Sequence, residues 1–497
     1  MSSTSTAITA HSLSWVRERV AYSADTLCEL FGVPSSEKAS LITDLQAKHI
    51  INRRGFDNIG GTEDAEPLES YITGADYSFL FVGMYCRAGY MVCVLPKYAN
   101  AELLKVPDQG DFHRPCPAAR RVIFSQVLKA VRRYKHSAQF ELPESQQDFA
   151  DSNYLSLLIT LLSDFVENGV YRDNRTTDTL NERGRILWSA TIHKTNAVLQ
   201  EGGPVYPDVV TRKTEFEPQH PITLLHRRIA GECYRCLHDL GLIDLLDLPV
   251  IDDEEVQDSY DATHMLYLVE SELNVQFDSR RRYILTLLRE YLFKQSRADS
   301  AQVSEYAFGC SSFNLLWEDA CRSVLGHDYS RLWSILPPDW HFADRTVSAL
   351  KSLEPDIIIS DEKGTCILDA KYYLPMESGT GMPSGLPGIE SVTKQFLYQQ
   401  ALLNPDSVEP AKGRIVPPIY NAFLMPLPQS VGLDDRTVSY YATITMPLFP
   451  NMEIIVLRIS PNKLLSCYSD NISAPYFRES VWLAIRENVS SGLPPEH

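Results

Sequence analysis

LEPDIIISDEKGTCILDAKYY, residues 353–373, contains two apolar runs separated by a polar tetrad that ends in glycine, which is the pattern of a β-hairpin. Asp356 to Ser360 reads as a short buried strand, Asp361 to Gly364 as the turn, and Thr365 to Tyr373 as the returning strand. Side chains alternate along a strand, so Asp369 and Lys371 project from one face. The Asp356 carboxylate, at the start of the partner strand, converges on that same face. Two carboxylates and a lysine on one rigid hairpin suit a hard cation such as Mg²⁺, which keeps several waters and leaves positions open for a phosphate.

Hydrolysis of a phosphodiester needs a positioned water, a Lewis acid on the phosphoryl oxygens and a means of stabilising the charge of the transition state. Asp356 and Asp369 are expected to hold one or two Mg²⁺ ions, and Lys371 to orient or help deprotonate the attacking water. A third acid is expected from a preceding helix. FNLLWEDACRSVLG, residues 313–326, supplies Glu318 beside an apolar face of Phe313, Leu316, Trp317, Ala320 and Val324.

Pro355-Asp356 followed by Asp369-Ala370-Lys371 resembles the PD-(D/E)xK nuclease core. FVGMYCRAGYMVCVLPKY in the first half, GRILWSATI at 184–192, FNLLWEDACRSVLG and the hairpin stand in the order found in LlaJI-type, McrC-like restriction nuclease subunits. The resemblance implies a metal-dependent deoxyribonuclease of the type IV or LlaJI-like restriction class, serving antiviral defence beside an AAA+ GTPase partner. It also implies a role for Gln395, in SVTKQFLYQQAL, on the helix that in related nucleases carries a glutamine contacting the site. The commoner Q-x-x-x-Y spacing is not kept, because position 399 is Gln and the tyrosine is Tyr398. Two rivals share these residues: an adaptor that stimulates an AAA+ motor, and a stand-alone DNA-repair or mobile-element nuclease.

A length of 497 residues predicts two to four domains, and 44% hydrophobic with 22% charged residues is the composition of a globular protein. The expected fold class is mixed α/β, in three parts. Residues 1–62 hold a Ser/Thr-rich, mobile start and a winged-helix module built from HSLSWVRERV, ADTLCELFG and EKASLITDLQAKHI as three helices, with Lys48, Arg53 and Arg54 toward DNA. Residues 63–300 form an McrC-like region for partner and DNA contact, opened by a hairpin turning at Arg87-Ala88-Gly89. Residues 301–497 form the nuclease domain, a mixed sheet flanked by helices, after a polar boundary at 295–304.

The net charge of −18 is unevenly placed. Cys236 to Ser279 has no Lys or Arg and carries −12, which suits a basic protein surface or shielding of the cleft. Phe112 to Phe140 has no acid and carries +7. Within it AARRVIFSQVLKAVRRYK predicts a helix with Val122, Phe124, Val127, Leu128 and Val131 inward and Arg121, Lys129, Arg132 and Arg133 toward DNA phosphates. No apolar run approaches a membrane span and the start lacks a leader pattern, so a cytoplasmic location is expected. The sequence has no G-x-x-x-x-G-K-[ST], hence no P-loop for hydrolysing nucleotide itself. Its one C-x-x-C, Cys233 and Cys236, reads as helical side chains rather than a metal site, and His193 and His226 read as structural. The Gly/Pro-rich loop 377–390 follows Lys371 and stands equally as a DNA clamp or a plain exposed loop.

Overall fold

The computed structural model describes residues 12–53, 75–87, 90–100, 103, 118–138, 154–172, 174–216, 218–239, 241–246, 248, 250–251, 261–297, 305–328, 335–348, 354–375, 383–404, 407, 415–429 and 436–489. The fold is mixed α/β, in two compact units: residues 154–303 make one, and residues 10–153 together with 304–497 make the other.

The larger unit begins with β1 (Ser12–Arg17), β2 (Ala21–Ser23), α1 (Ala24–Leu30), α2 (Lys38–Ala47), β3 (Ile51–Arg53), β4 (Ala75–Phe79), β5 (Val82–Arg87) and β6 (Tyr90–Leu95). The first of the three expected helices is therefore a strand, and the module has two. SLSWVR alternates with a period of two, and β6 offers it a parallel partner along Ser12 to Arg17 opposite Tyr90 to Leu95. The two real helices close over an antiparallel sheet ordered β2-β4-β3, packing Leu27, Phe31, Leu41, Leu45, Ile50 and Phe79 together. Ser23 starts α1 by accepting the Thr26 amide through its hydroxyl at 3.0 Å. Lys48 pairs with Asp44 at 2.9 Å and Arg53 stands exposed on β3, while Arg54 lies outside the described residues.

The hairpin β5–β6 forms as expected. On its other side β5 takes β7 (Glu305–Cys310), so a four-stranded sheet ordered β1-β6-β5-β7 joins the two segments of this unit. Gly83 faces Gly309 there, with a backbone φ of +140° that glycine tolerates; a Cβ on Gly83 would meet the Phe308 carbonyl oxygen at 2.3 Å.

Beyond this joint come α3 (Ala118–Ala138), α4 (Phe313–Leu325), β8 (Ile357–Asp361), β9 (Gly364–Ala370), α5 (Ile389–Leu403), β10 (Ile419–Pro426), β11 (Val438–Thr445), β12 (Glu453–Ile459), α6 (Pro461–Ser469) and α7 (Pro475–Asn488). The strands form one mixed sheet, β8-β9-β10-β12-β11, antiparallel at both edges and parallel in the middle. Helix α5 makes the crossover between parallel β9 and β10. Its Val392 and Phe396 pack on Phe423, Met425 and Val456, and its Tyr398 and Leu402 on Ile358 and Ile367. Alternate residues of β10 face the other way, where Tyr420 meets Trp482 of α7 edge-on.

The smaller unit is mainly helical, from Tyr154–Asn168, Pro221–Asp239, Ala262–Val275 and Ser279–Arg297, with a three-stranded antiparallel sheet at one part. Cys233 is buried in the second helix and burial pushes both its thiol and that of Cys236 upward, as expected of helical side chains. His193 is exposed near the end of a short helix. Among the described residues no helix is long and apolar enough to cross a membrane.

His226 is fully buried; its Nδ1 accepts the Tyr171 amide at 2.8 Å and its ring stands edge-on to Phe165. Burial, with Arg280 adding to it, lowers its pKa from 6.5 to about 4 against the opposing pull of Asp164. The unfolded chain thus binds this proton first, so the stability His226 contributes is complete above about 6.5 and is lost as pH falls toward 4. Unfolding of this unit, followed by denaturant titration, is expected to weaken across that window, and His226→Gln, which keeps an acceptor, should flatten the slope. Gly83→Ala is expected to cost roughly 2–3 kcal/mol, read as a lower urea midpoint, because the side chain must push β7 from β5.

Candidate active site

The β8–β9 hairpin pairs Ile357 with Leu368 through Asp361 with Gly364, and continuing that register by one residue sets Asp356 across from Asp369. Two further contacts fix the first acid. Its Oδ2 accepts the Ala370 amide at 3.2 Å, and Arg322 Nε, one turn beyond Glu318 on α4, donates to its backbone carbonyl at 2.8 Å. Asp369 is 4% exposed, and its Oδ2 lies 3.3 Å from the Lys371 ammonium as an ion pair that lacks hydrogen-bond geometry. Burial first, and the Asp356 carboxylate second, hold its carboxyl well above the ordinary range, with Lys371 pulling the other way.

Glu318 projects from the partly buried side of α4. Burial and then Asp356 push its carboxyl up to about 7, opposed by Arg322, Lys371 and Lys394. The structure therefore brings Glu318, Asp356, Asp369 and Lys371 into one electrostatic neighbourhood, as the hairpin reading expected. Arg322 and Lys394 were missed. Arg322 stands four residues after Glu318, a spacing that puts both on one helical face, so it was legible; Lys394 belongs to α5 and required the crossover to be known.

Among the described residues, no three His, Cys, Asp or Glu side chains close into a complete ligand cage. Two carboxylates across one hairpin, one of them with a buried oxygen that accepts no hydrogen bond, fit a cation that draws its other ligands from water and phosphate. Mg²⁺ binds in that way. Asp356 and Asp369 are the residues that could hold it, with Glu318 beside them.

Gln395 is 1% exposed and its amide nitrogen reaches two backbone carbonyls, Ile367 at 3.5 Å and Ala422 at 3.4 Å, where β9 and β10 run side by side. Asn421 supports it, donating to the Gln395 carbonyl at 2.9 Å and to Gln399 Oε1 at 3.2 Å. Gln399 thus takes part in the same buried amide network.

Helix α3 packs on α6, with Ile123, Phe124, Val127, Leu128 and Val131 buried. Val122 is 36% exposed, so Ile123 takes the inward place given to Val122. Arg121 and Lys129 line an open cleft of about 300 Å³ with Val122, Ser125, Gln126, Ser466, Ser469 and Asp470. Arg132 is half-buried. Arg133 is engaged within the unit: its guanidinium lies over the Tyr468 ring at 4.3 Å and donates to the Tyr468 carbonyl, which also accepts the Asn471 amide at 3.1 Å. Tyr468 in turn donates to Asp319, the neighbour of Glu318.

Residues 81–457 match the LlaJI restriction endonuclease family, and the protein belongs to that family. It is similar to the type II restriction enzyme BsuMI component YdjA of Bacillus subtilis strain 168, with 25% identity over 412 residues, covering 80% of this chain and 82% of that protein. A solved structure, the refined half-complex from a tetradecameric assembly of Thermococcus gammatolerans McrB AAA+ hexamers with bound McrC, aligns over 94% of this chain and 99% of the matched chain, at 14% identity and a TM-score of 0.36.

The carboxylate pair costs the metal-free protein stability. A carboxyl whose folded pKa lies above its unfolded value of 3.8 is destabilising once pH exceeds 3.8, most of all above the folded value. In the presence of EDTA at pH 8, Asp369→Asn is expected to raise Tm by a few degrees, at about 2–4 °C per kcal/mol recovered, with the gain vanishing near pH 4. Scanning calorimetry at the two pH values measures it.

Proposed function

We propose that this chain is the Mg²⁺-dependent DNA endonuclease subunit of a prokaryotic restriction system, with β8, β9 and α5 as a PD-(D/E)xK core, working beside an AAA+ GTPase. The observation that carries the reading is the buried Asp369 carboxylate held opposite Asp356, with the Lys371 ammonium on the same face of the strand. Membership of a restriction endonuclease family supports it.

Asp356 and Asp369, with Glu318 adjoining, would hold Mg²⁺, which when bound supplies Lewis acidity at a phosphoryl oxygen. Lys371 orients the attacking water and offsets phosphate charge. Its N–H donates to the Leu424 carbonyl at 2.9 Å, so the strand end that aims the side chain is tied to β10. Glu318, with a pKa near neutrality, can take or return a proton at its carboxyl oxygen. Arg121 and Lys129, in the α3 cleft, meet DNA phosphates. The relative from Bacillus subtilis is called a component of its enzyme, which favours work beside other subunits over independent work.

The test mixes the purified full chain with plasmid DNA and Mg²⁺, with or without the AAA+ partner and GTP. Efficient cleavage is expected only in the complete mixture, and Asp356→Ala, Asp369→Ala and Lys371→Ala should each lower it by at least about a hundredfold. Equal cleavage by the isolated chain would favour a stand-alone repair nuclease. Stimulated GTP hydrolysis with no cleavage would favour the adaptor.

A further inference from the structure

Lys371 and Tyr372 lie just past the end of β9; Lys371 reaches Asp369, whereas Tyr372 packs on the side of Phe313 and Trp317. On that other side it enters a buried polar cluster that the cleavage chemistry does not use. The Tyr372 hydroxyl donates to Oε1 of Glu18, a residue 4% exposed at the end of β1 and more than three hundred positions earlier in the chain. The same Glu18 oxygen accepts the Lys97 amide at 2.9 Å, and that amide also reaches the Tyr372 hydroxyl at 3.2 Å. The Lys97 ammonium, itself on a residue only 8% exposed, stands over the Tyr372 ring at 4.3 Å from its centroid. On the ring's remaining sides lie Phe313 at 5.1 Å and Trp317 at 6.3 Å, both from α4, the helix that carries Glu318.

Glu18 is aimed inward by its backbone. Its own amide donates to the Leu95 carbonyl, and Arg19 after it takes a φ of +61°, a left-handed conformation unusual for a side-chain-bearing residue, with its amide held by the Phe79 carbonyl. Burying a carboxylate here is costly, yet an apolar residue in its place would strand the two buried donors that Glu18 satisfies. What an apolar residue cannot supply is an acceptor shared by the Tyr372 hydroxyl and the Lys97 amide, which fixes direction as well as contact.

We propose that Glu18 is a positioning residue for DNA cleavage: through the Tyr372 hydroxyl it sets the end of β9 that aims Lys371 and, through the same ring, the placement of the helix that carries Glu318. The proposal rests on the reading of Asp369 and Lys371 as the cleavage site. It links the N-terminal sheet, β1 and β6, to that site by one carboxylate.

The test compares Glu18→Ala, Glu18→Gln and Tyr372→Phe in the full chain within the complete cleaving mixture. Single-turnover cleavage at saturating DNA and DNA affinity are measured separately, and amide hydrogen exchange over 364–373 is followed in the metal-free chain. Glu18→Ala and Tyr372→Phe should slow the cleavage step about ten- to a hundredfold with DNA affinity within about twofold. Glu18→Gln, which keeps the shared acceptor, should retain the rate within about threefold. Exchange of the Lys371 and Tyr372 amides should quicken in Glu18→Ala and stay slow in Glu18→Gln. Parental cleavage by Glu18→Ala, equal loss in Ala and Gln, or a loss confined to DNA affinity would each overturn the proposal. Should Glu18→Ala fail to fold, Tyr372→Phe, which removes a single oxygen, decides alone. Asp369→Asn separates the two readings: if it cleaves normally the site itself is wrong, and if it is inert while Glu18→Ala is normal only the role of Glu18 falls.

Discussion

Two carboxylates of like charge, Asp356 and Asp369, are pressed together across a hairpin whose strands are buried, and much of the larger unit can be understood as the means of holding them there. Repulsion would separate them on a flexible loop. Here Asp356 is pinned at both side chain and backbone, by the Ala370 amide and by Arg322. Asp369 sits within a strand that is buried along its whole length, flanked by β8 and β10. The amides of Gln395, Gln399 and Asn421 close the groove between β9 and β10 on the α5 side, so the strand cannot slide to relieve the charge. A strained acidic pair of this kind is a poor structural element and a good cation seat.

The hairpin was legible in sequence because it is local. Residues 357–370 fold on themselves, and a period of two is enough to place Asp369 with Lys371 and to bring Asp356 near. Glu318 was legible because its helix is amphipathic over its own length. Features that depend on distant segments were not. HSLSWVRERV has aliphatic and aromatic residues that fit either period, and only the availability of β6 as a parallel partner decides for a strand. Arg133 looks like its basic neighbours until α6 brings Tyr468 against it. Val122 and Ile123 differ by one position on the helix, and the direction from which α6 approaches chooses between them.

The same distinction explains the arrangement of units. The stretches on either side of 154–303 belong to one unit, although they are far apart in the chain. Nothing in the strand Glu305–Cys310 announces that its partner is Val82–Arg87; the paired glycines Gly83 and Gly309 gain meaning only once the two strands are in contact.

That pairing sets a timetable for the newborn chain. A ribosome adding about 5–20 residues per second finishes β5 and then spends roughly ten to forty seconds on the intervening stretch before β7 emerges. During this wait one edge of β5 has no neighbour, and the cell must keep that edge from pairing with other nascent chains. The acids arrive later still: Glu318 follows β7, and Asp356 and Asp369 come after it. Synthesis order therefore delays assembly of the acid cluster until the greater part of the polypeptide has been made, a delay that is written into topology alone.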